Sequence, residues 1–158
     1  MAEFDDVDRR LLSELQQDGR KSYADLAKAV GLAVSSVNER VRKLTDRGVI
    51  TGTHVHLSPE AMQMDLMAFV FVGWSDPQTE PEFLKTIAGE PVVLECHHVT
   101  GSWNYLMKVR VRNTRMLESF LANVIKGVEG IQRTESLIVL SSPKETAALA
   151  TEIPRWFR

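Results

Sequence analysis

Residues 20–47, RKSYADLAKAVGLAVSSVNERVRKLTDR, carry the pattern that decides the fold of the N-terminal half. Leu26, Ala27 and Val30 give a first short helix its apolar face. Gly31 then supplies a turn, where a residue without Cβ can take a positive φ. A second apolar stripe follows at spacings of three, four and three residues, at Val34, Val37, Val41 and Leu44. Two short helices joined by a glycine turn predict a helix-turn-helix.

The second helix is polar outside that stripe, and its polar residues are of the types that read DNA. In a helix-turn-helix this helix enters the major groove with its N-terminal residues at the base edges. Serine hydroxyls permit close approach, asparagine can read adenine, and arginine can read guanine or hold a phosphate. We expect DNA contacts from Arg20, Ser35, Ser36, Asn38, Glu39, Arg40, Arg42 and Lys43.

The charge of this segment agrees with a nucleic-acid partner. Residues 20–47 contain seven Lys or Arg against three Asp or Glu, a local charge of +4, whereas the whole chain carries −2. A basic patch on a slightly acidic protein indicates a surface that binds a polyanion. The alternative is an ordinary helical hairpin with a solvated charged face. The local charge and the second domain described below favour a double-stranded DNA operator as the partner.

The whole chain has the composition of a globular protein. At 158 residues it has room for one or two small domains, and its fractions of 44% hydrophobic and 25% charged residues are ordinary. No apolar run approaches the ~18 residues of a membrane helix, and the N-terminal MAEFDDVD is acidic where a secretory signal is basic. We therefore expect a cytoplasmic protein with no membrane partner. The single cysteine, Cys96, excludes an intrachain disulfide and a multi-cysteine zinc site.

The residues around the helix-turn-helix predict a third helix and an exit strand. Asp5 or Asp6 can cap a first helix, and Gly19 is expected to end it in the left-handed conformation. Gly48 is expected to end the last of the three helices. Alternating residues at Thr53–Leu57 then predict a strand that leaves this domain.

The second half alternates strand and helix patterns in the order βαββαβ. These patterns cover residues 67–74, 82–88, 92–99, 105–111, 114–126 and 131–140. This order is that of a ferredoxin-like split βαβ fold. The predicted class is therefore α+β. A three-helix, winged-helix-like domain occupies 1–50, a linker strand and turn 51–66, the βαββαβ domain 67–143, and a tail 144–158.

The predicted sheet needs cover on both of its faces. Both helices of a ferredoxin-like domain lie on one face. The first strand nevertheless carries apolar residues on both parities, with Phe69 and Phe71 on one side and Ala68, Val70 and Val72 on the other. A sheet that is apolar on both faces is usually covered on both. A second copy of the chain is the economical cover, so we predict a homodimer that carries two DNA-reading helices.

Residues in both halves together form a family pattern. They are Asp8, Leu11, Leu12, Asp18, Gly19, Arg20, Leu26, Ala27, Gly31, Leu32, Arg40, Val41, Arg42, Lys43, Leu44, Gly48, Val49, Ile50, Val99, Thr100, Gly101 and Tyr105. From Asp5 to about Pro143 the chain resembles the Lrp/AsnC (feast/famine) family of transcription regulators. The resemblance implies a DNA-binding domain, a linking strand, an effector-binding domain, and dimers that assemble into octamers or other higher rings.

The resemblance also implies a place for an amino-acid effector, near the turn after the second strand. Carried over, the effector residues are Val99, Thr100, Gly101, Ser102, Trp103 and Asn104, with Thr134 and Ser136 from the last strand as additions. In relatives the sequence of this turn resembles Gly-Asp-x-Asp-Tyr, whereas here it is Gly-Ser-Trp-Asn-Tyr and lacks both carboxylates. Because charge-assisted hydrogen bonds are roughly twice as strong as neutral ones, we expect a standard amino acid to bind weakly. The alternative is a plain β-turn filled by the Trp103 ring.

The sequence departs from its relatives at a second position, and it allows two alternative functions. Ala33 stands where relatives often carry Ser, so either Ser35 or Ser36 supplies the missing cap or one phosphate contact is weaker. A metal site at His54, His56, Cys96, His97 and His98 is the less favoured reading, and no enzyme activity, metal or cofactor is expected. The predicted function is a sequence-specific DNA-binding regulator, and its alternative is a ligand-sensing or scaffolding oligomer with weak or no DNA binding.

Overall fold

The computed structural model describes residues 4–152 and Trp156, which form two compact units. The N-terminal unit contains residues 4–56 with the described part of 145–158, and the C-terminal unit contains 57–144. Within the described residues, the helices are all too short or too polar to cross a bilayer.

Three helices build the N-terminal unit: α1 at Asp6–Gln17, α2 at Tyr23–Val30 and α3 at Val34–Asp46. Its core contains Leu11, Leu26, Ala27, Val37 and Val41. Val34, which the sequence places in the same stripe as Val37 and Val41, is instead 48% exposed. Gly31 ends α2 with φ at 71°, so the turn between α2 and α3 has the left-handed glycine that the sequence predicts. The helix-turn-helix prediction is confirmed.

Two local predictions in this unit differ from the structure. Gly19 does not take a positive φ, because α1 ends at Asp18 in an extended conformation (φ −145°). Glycine is needed there for space instead, since a Cβ on Gly19 would lie 2.6 Å from the Thr53 methyl. The strand expected at Thr53–Leu57 is also missing, because an extended segment becomes a strand only when another strand pairs with it. Val55 and Leu57 are 85% and 65% exposed.

The C-terminal unit is a four-stranded antiparallel sheet with two helices, in the order βαββαβ. Its elements are β1 at Leu66–Gly73, α4 at Thr79–Ala88, β2 at Val93–His98, β3 at Tyr105–Val111, α5 at Thr114–Phe120 and β4 at Arg133–Ile138. The strands lie in the order β2-β3-β1-β4, which confirms the ferredoxin-like prediction. Asn113 rather than Thr114 caps α5, and the helix continues as a π-helical turn at Leu121–Ile125.

The two faces of this sheet differ in what covers them. The core lies between one face and the helices, and it joins Val70 and Met107 to Phe83 of α4 and Phe120 of α5. The alternate residues of the strands point to the opposite side of the sheet. They form a second surface, the open face, which is not packed against either helix. The open face comprises Phe69, Phe71, Leu106, Lys108, Glu135 and Leu137. Its apolar residues Phe69, Phe71, Leu106 and Leu137 adjoin charged residues of the same face, such as Glu95, Lys108 and Glu135, and Leu137 is 49% exposed.

Candidate functional site

Helix α3 presents a continuous polar surface on the side away from its core contacts. Val37, Val41 and Leu44 are buried against the N-terminal unit. The predicted DNA contacts of α3 that are exposed on its opposite side are Ser35, Ser36, Asn38, Glu39, Arg42 and Lys43. We call these six residues the reading face.

The start of α3 is open to an external acceptor. Ala33 occupies the N-cap and makes no side-chain bond to the helix. The predicted replacement of this cap by Ser35 or Ser36 is not seen among the hydrogen bonds of the described residues. Uncapped amides at a helix N-terminus carry a partial positive charge and suit a phosphate oxygen. The first turn of α3 is therefore polar, exposed and able to accept an anion.

The two cations of the reading face are held by carboxylates one helical turn away. Lys43 Nζ lies 2.7 Å from Glu39 Oε1, and Arg42 Nη1 lies 3.8 Å from Asp46 Oδ2. The hydrogen bond from Lys43 holds the pKa of the Glu39 carboxyl below its ordinary value. These pairs are exposed, so solvent and salt weaken them. Phosphates can therefore replace the carboxylates without breaking a buried contact.

Arg40 has a different role from its neighbours on α3. Its Nη1 lies 2.7 Å from Asp5 Oδ2 and 2.7 Å from Asp8 Oδ1, which ties α3 to the start of α1. Hydrogen bonds to Asp8 and then Asp5 raise the pKa of the guanidinium. Arg40 thus differs from Arg42 and Lys43 in holding α3 to α1, and its predicted contact with DNA stays a prediction. Arg20 lies exposed in the turn before α2 and is not part of the reading face.

The second predicted site is the turn at 99–104, which joins β2 to β3. The Val99 amide donates to the Asn104 carbonyl (3.1 Å), and the Asn104 amide donates to the Val72 carbonyl (3.0 Å). The Asn104 side-chain oxygen accepts from the Trp74 amide at 2.9 Å. Gly101 has φ at 105°, a conformation that favours glycine. The turn is therefore fixed to the end of β1.

Trp103 is the large side chain of this turn, and it packs on the open-face side of the sheet. Its ring centroid lies 5.7 Å from that of Phe71. The Arg133 guanidinium lies over the same ring, 4.6 Å from the centroid, as in a cation–π contact. Sequence reasoning did not find Phe71, Gly73 or Arg133 here. Gly73, in an otherwise apolar strand, was the available signal, since strand glycines mark close approach.

Thr134 and Ser136 are not brought together with the Trp103 ring. β4 pairs Thr134 with Val72 and Ser136 with Val70, and both valines belong to the core beneath the helices. Directly paired residues share a face of the sheet, whereas Trp103 packs on the other face. The two predicted additions therefore lie across the sheet from the rest of the effector residues.

Tyr105 ends the turn motif and is tied to α4. Its hydroxyl donates to Glu80 Oε1 at 2.7 Å, and this hydrogen bond, with burial, raises the Tyr105 pKa to about 12. A phenol that keeps its proton to higher pH when folded stabilises the fold below its unfolded pKa, and this contribution is lost as pH rises through the folded pKa. Stability should fall between pH 10 and about 12.

Tyr105→Phe is expected to flatten that part of the stability profile, because phenylalanine has no proton to lose. Urea unfolding at a series of pH values measures the free energy of unfolding of both proteins. The difference between wild type and variant should shrink as pH rises from 10 to about 12. Parallel profiles for the two proteins would contradict the assigned hydrogen bond.

The alternative metal site is not assembled in the described residues. They contain no group of three or more His, Cys, Asp or Glu side chains placed to hold a metal ion. His97 pairs with Glu95 on the strand (3.2 Å), and His98 stacks on Tyr105 with ring centroids 4.9 Å apart. Burial raises the pKa of the Cys96 thiol, so the thiol stays protonated near neutral pH.

Comparison with known proteins covers both units. Residues 4–51 match a family model described as winged helix-turn-helix DNA-binding, and residues 67–149 match one described as Lrp/AsnC ligand binding domain. The chain is 33% identical to HTH-type transcriptional regulator FL11 of Pyrococcus horikoshii, over 96% of each sequence. It is 32% identical to regulatory protein AsnC of Escherichia coli, over 89% of this chain and 92% of the relative.

The fold also matches solved structures over nearly its full length. The transcriptional regulator NMB0573 of Neisseria meningitidis, solved as a complex with L-Met, superposes with a TM-score of 0.90 at 28% sequence identity. The match covers 93% of this chain and 96% of that one.

Proposed function

The chain belongs to the Lrp/AsnC family of transcriptional regulators, and on that premise we propose that α3 is the helix by which it recognises its operator. It is a DNA-binding regulator with a helix-turn-helix domain and a ligand-binding domain. The proposal concerns which residues of α3 contact the DNA. The observation that carries the proposal is the reading face, which is exposed along a helix whose other side is buried.

The positions of the reading-face residues suggest separate tasks. Ser35, Ser36 and Asn38 lie in the first half of α3, the part of a recognition helix that meets base edges. Arg42 and Lys43 lie one to two turns later and can exchange their carboxylate partners for backbone phosphates. Glu39 can accept from the amino group of a cytosine. Phosphate contacts would then position α3, and its first half would select the sequence.

Asn38→Ala is expected to reduce discrimination at one base pair by about 1–3 kcal/mol, because a bidentate amide contact to adenine is lost. The measurement is a mobility shift with duplexes selected from a random pool and with single base-pair variants of the selected site. The slope of log affinity against log salt should stay unchanged, since asparagine is uncharged.

Asn123→Ala is the matched control, because Asn123 is an exposed asparagine of the C-terminal unit. It should leave both affinity and discrimination as in wild type. If Asn38→Ala retains the full base preference, α3 does not read bases through this residue. If the wild type selects no duplex at all, the ligand-sensing oligomer with weak or no DNA binding becomes the better reading.

We further propose that the protein acts in the cytoplasm as a homodimer joined through the open face. Phe69, Phe71 and Leu106 form an apolar patch that neither α4 nor α5 of the C-terminal unit covers. A second copy with the same patch covers both surfaces by two-fold symmetry and holds two copies of α3 for two half-sites. Octamers or other higher assemblies of these dimers remain a prediction.

We also propose that the C-terminal unit binds a small-molecule effector. The Neisseria regulator is recorded in complex with L-Met, which supports an amino acid or a related small molecule as the ligand class for this fold. In this chain the candidate position is the turn at 99–104 with the Trp103 ring. The chemistry of that turn, however, differs from what a zwitterionic amino acid needs.

A further inference from the structure

We infer that the effector corner, formed by Trp103, Arg133 and the turn 100–104, selects a small apolar carboxylate that carries no ammonium group, such as an α-keto acid. The inference rests on the proposed effector role of this turn and specifies the class of its ligand. Three features carry it: the contact between Arg133 and Trp103, the lack of a carboxylate in the turn, and a set of backbone and side-chain donors that make no hydrogen bond within the described residues.

The contact between Arg133 and Trp103 depends on Gly73, which lies opposite Arg133 in the β1–β4 pairing. A Cβ on Gly73 would lie 2.6 Å from Arg133 Nε and 3.3 Å from Trp103 Cε3. Any side chain at this position would therefore displace the guanidinium from the ring. The end of β1 provides the space in which the arginine lies over the indole.

The Arg133 guanidinium has no ion pair with any carboxylate of residues 4–152. A guanidinium stacked on an aromatic ring still offers the edge of its planar fork to a carboxylate, which it can bind with two parallel hydrogen bonds. The corner therefore carries a guanidinium that forms no ion pair within residues 4–152, although Glu135 lies two residues away on the same face. An anion is attracted to this corner, and a cation is repelled from it.

The turn offers an ammonium group little in return. The Asn104 side-chain oxygen already accepts from the Trp74 amide. Ser102 contributes a neutral hydroxyl, and neither turn residue is a carboxylate. An ammonium group bound at the turn would lose water, gain no anionic partner from the turn itself and lie near a guanidinium. The carboxylate on the same face, Glu135, lies outside the turn, opposite Phe71 and two residues from Arg133 on β4. The zwitterionic form of an amino acid is therefore disfavoured at this corner.

The turn does offer donors. The backbone amides of Gly101, Ser102 and Trp103 make no hydrogen bond to any described residue, and the side-chain NH₂ of Asn104 is likewise unused. Donors of this kind, together with Arg133, match the oxygens of a carboxylate and of an adjacent keto group. The Trp103 ring, which packs on Phe71, supplies apolar surface for the rest of the ligand.

The test compares L-methionine with its α-keto analogue, which differ only in the group on the α-carbon. Isothermal titration of the full-length protein at neutral pH measures both affinities. The keto acid should bind at least about tenfold more tightly, since a charged hydrogen-bonding pair contributes enough for that ratio. Arg133→Gln should remove at least about tenfold of the keto-acid affinity, whereas Arg112→Gln, which removes an exposed arginine outside the corner, should not.

Asn104→Asp is a variant that should gain affinity for L-methionine, so its result cannot be explained by a loss of folding. An aspartate can still accept from the Trp74 amide and adds a carboxylate to the turn. The variant should shift the ratio of the two affinities about tenfold toward L-methionine. Circular dichroism confirms that each variant folds.

Three results would overturn the inference: L-methionine binding as tightly as the keto acid, no binding of either, or full keto-acid binding by Arg133→Gln. A mobility shift on the same samples separates this outcome from failure of the proposed function. If DNA binding persists while the ligand arm fails, only the ligand class is wrong. If the keto acid binds as expected but DNA does not, the role proposed for α3 is wrong and the ligand assignment stands.

Discussion

Phe69→Glu combined with Leu137→Glu is expected to convert a dimer into a monomer at micromolar concentration. The two residues face each other across β1 and β4 on the open face. Self-association would bury two added carboxylates in each copy, and Lys108, the cation opposite Phe69, already pairs with Glu95 (3.2 Å), so we expect a cost of several kcal/mol for each ion. The affinity between copies should fall at least about a thousandfold, as 1.4 kcal/mol corresponds to a factor of about ten.

Light scattering and sedimentation measure the molar mass of each protein over a range of concentrations. Leu84→Glu and Leu137→Glu form a matched pair of single variants, because the two leucines are 43% and 49% exposed but lie on α4 and on the open face. The α4 variant should stay dimeric and the open-face variant should dissociate more readily. A wild-type monomer, or a double variant that remains a dimer with unchanged affinity, would contradict the proposed interface.

Local patterns in the sequence were enough to predict the fold. The stripe Val34, Val37, Val41 and Leu44 predicted α3, and the structure buries its members except Val34, which is 48% exposed. Gly31 predicted the turn for a purely local reason, its freedom at positive φ. The βαββαβ order was also predicted from local patterns, because the spacing of apolar residues indicates whether each segment is a strand or a helix. These predictions hold because propensity, apolar spacing and turn chemistry all act within a few residues.

Contacts between distant residues explain what the sequence did not predict. Arg40 resembles its neighbours on α3, and only the fold shows Asp5 and Asp8 beside it. Thr134 and Ser136 were placed near the effector turn without the register of β4, and a shift of one residue changes the face of the sheet. Gly19 was predicted to end a helix, whereas its role is to leave space for Thr53. Pairing, register and close packing are tertiary properties.

Arg42→Ala combined with Lys43→Ala is expected to weaken DNA binding at least about a hundredfold at low salt. Each cation that neutralises a phosphate releases counter-ions, so its loss removes both an attractive contact and part of the salt dependence. The variant also leaves Glu39 and Asp46 without their cationic partners. The negative charges of these two carboxylates then repel the phosphate backbone of the DNA. The fold should be little changed, because exposed pairs within a helix contribute little to stability.

Arg10→Ala combined with Lys85→Ala is the matched control, since it removes the same charge from exposed positions on α1 and α4. It should bind DNA nearly as the wild type does, with a similar salt dependence. Loss of affinity in this control as large as in the α3 variant would point to net charge rather than to the reading face.

The slope of log affinity against log salt for the Arg42→Ala, Lys43→Ala variant is the most direct test that α3 lies on DNA. The predicted result is a slope shallower than that of wild type by about 1.8 for each bound α3, from about 0.9 for each lost phosphate contact. An unchanged slope, with unchanged affinity, would show that this helix surface does not face the DNA backbone.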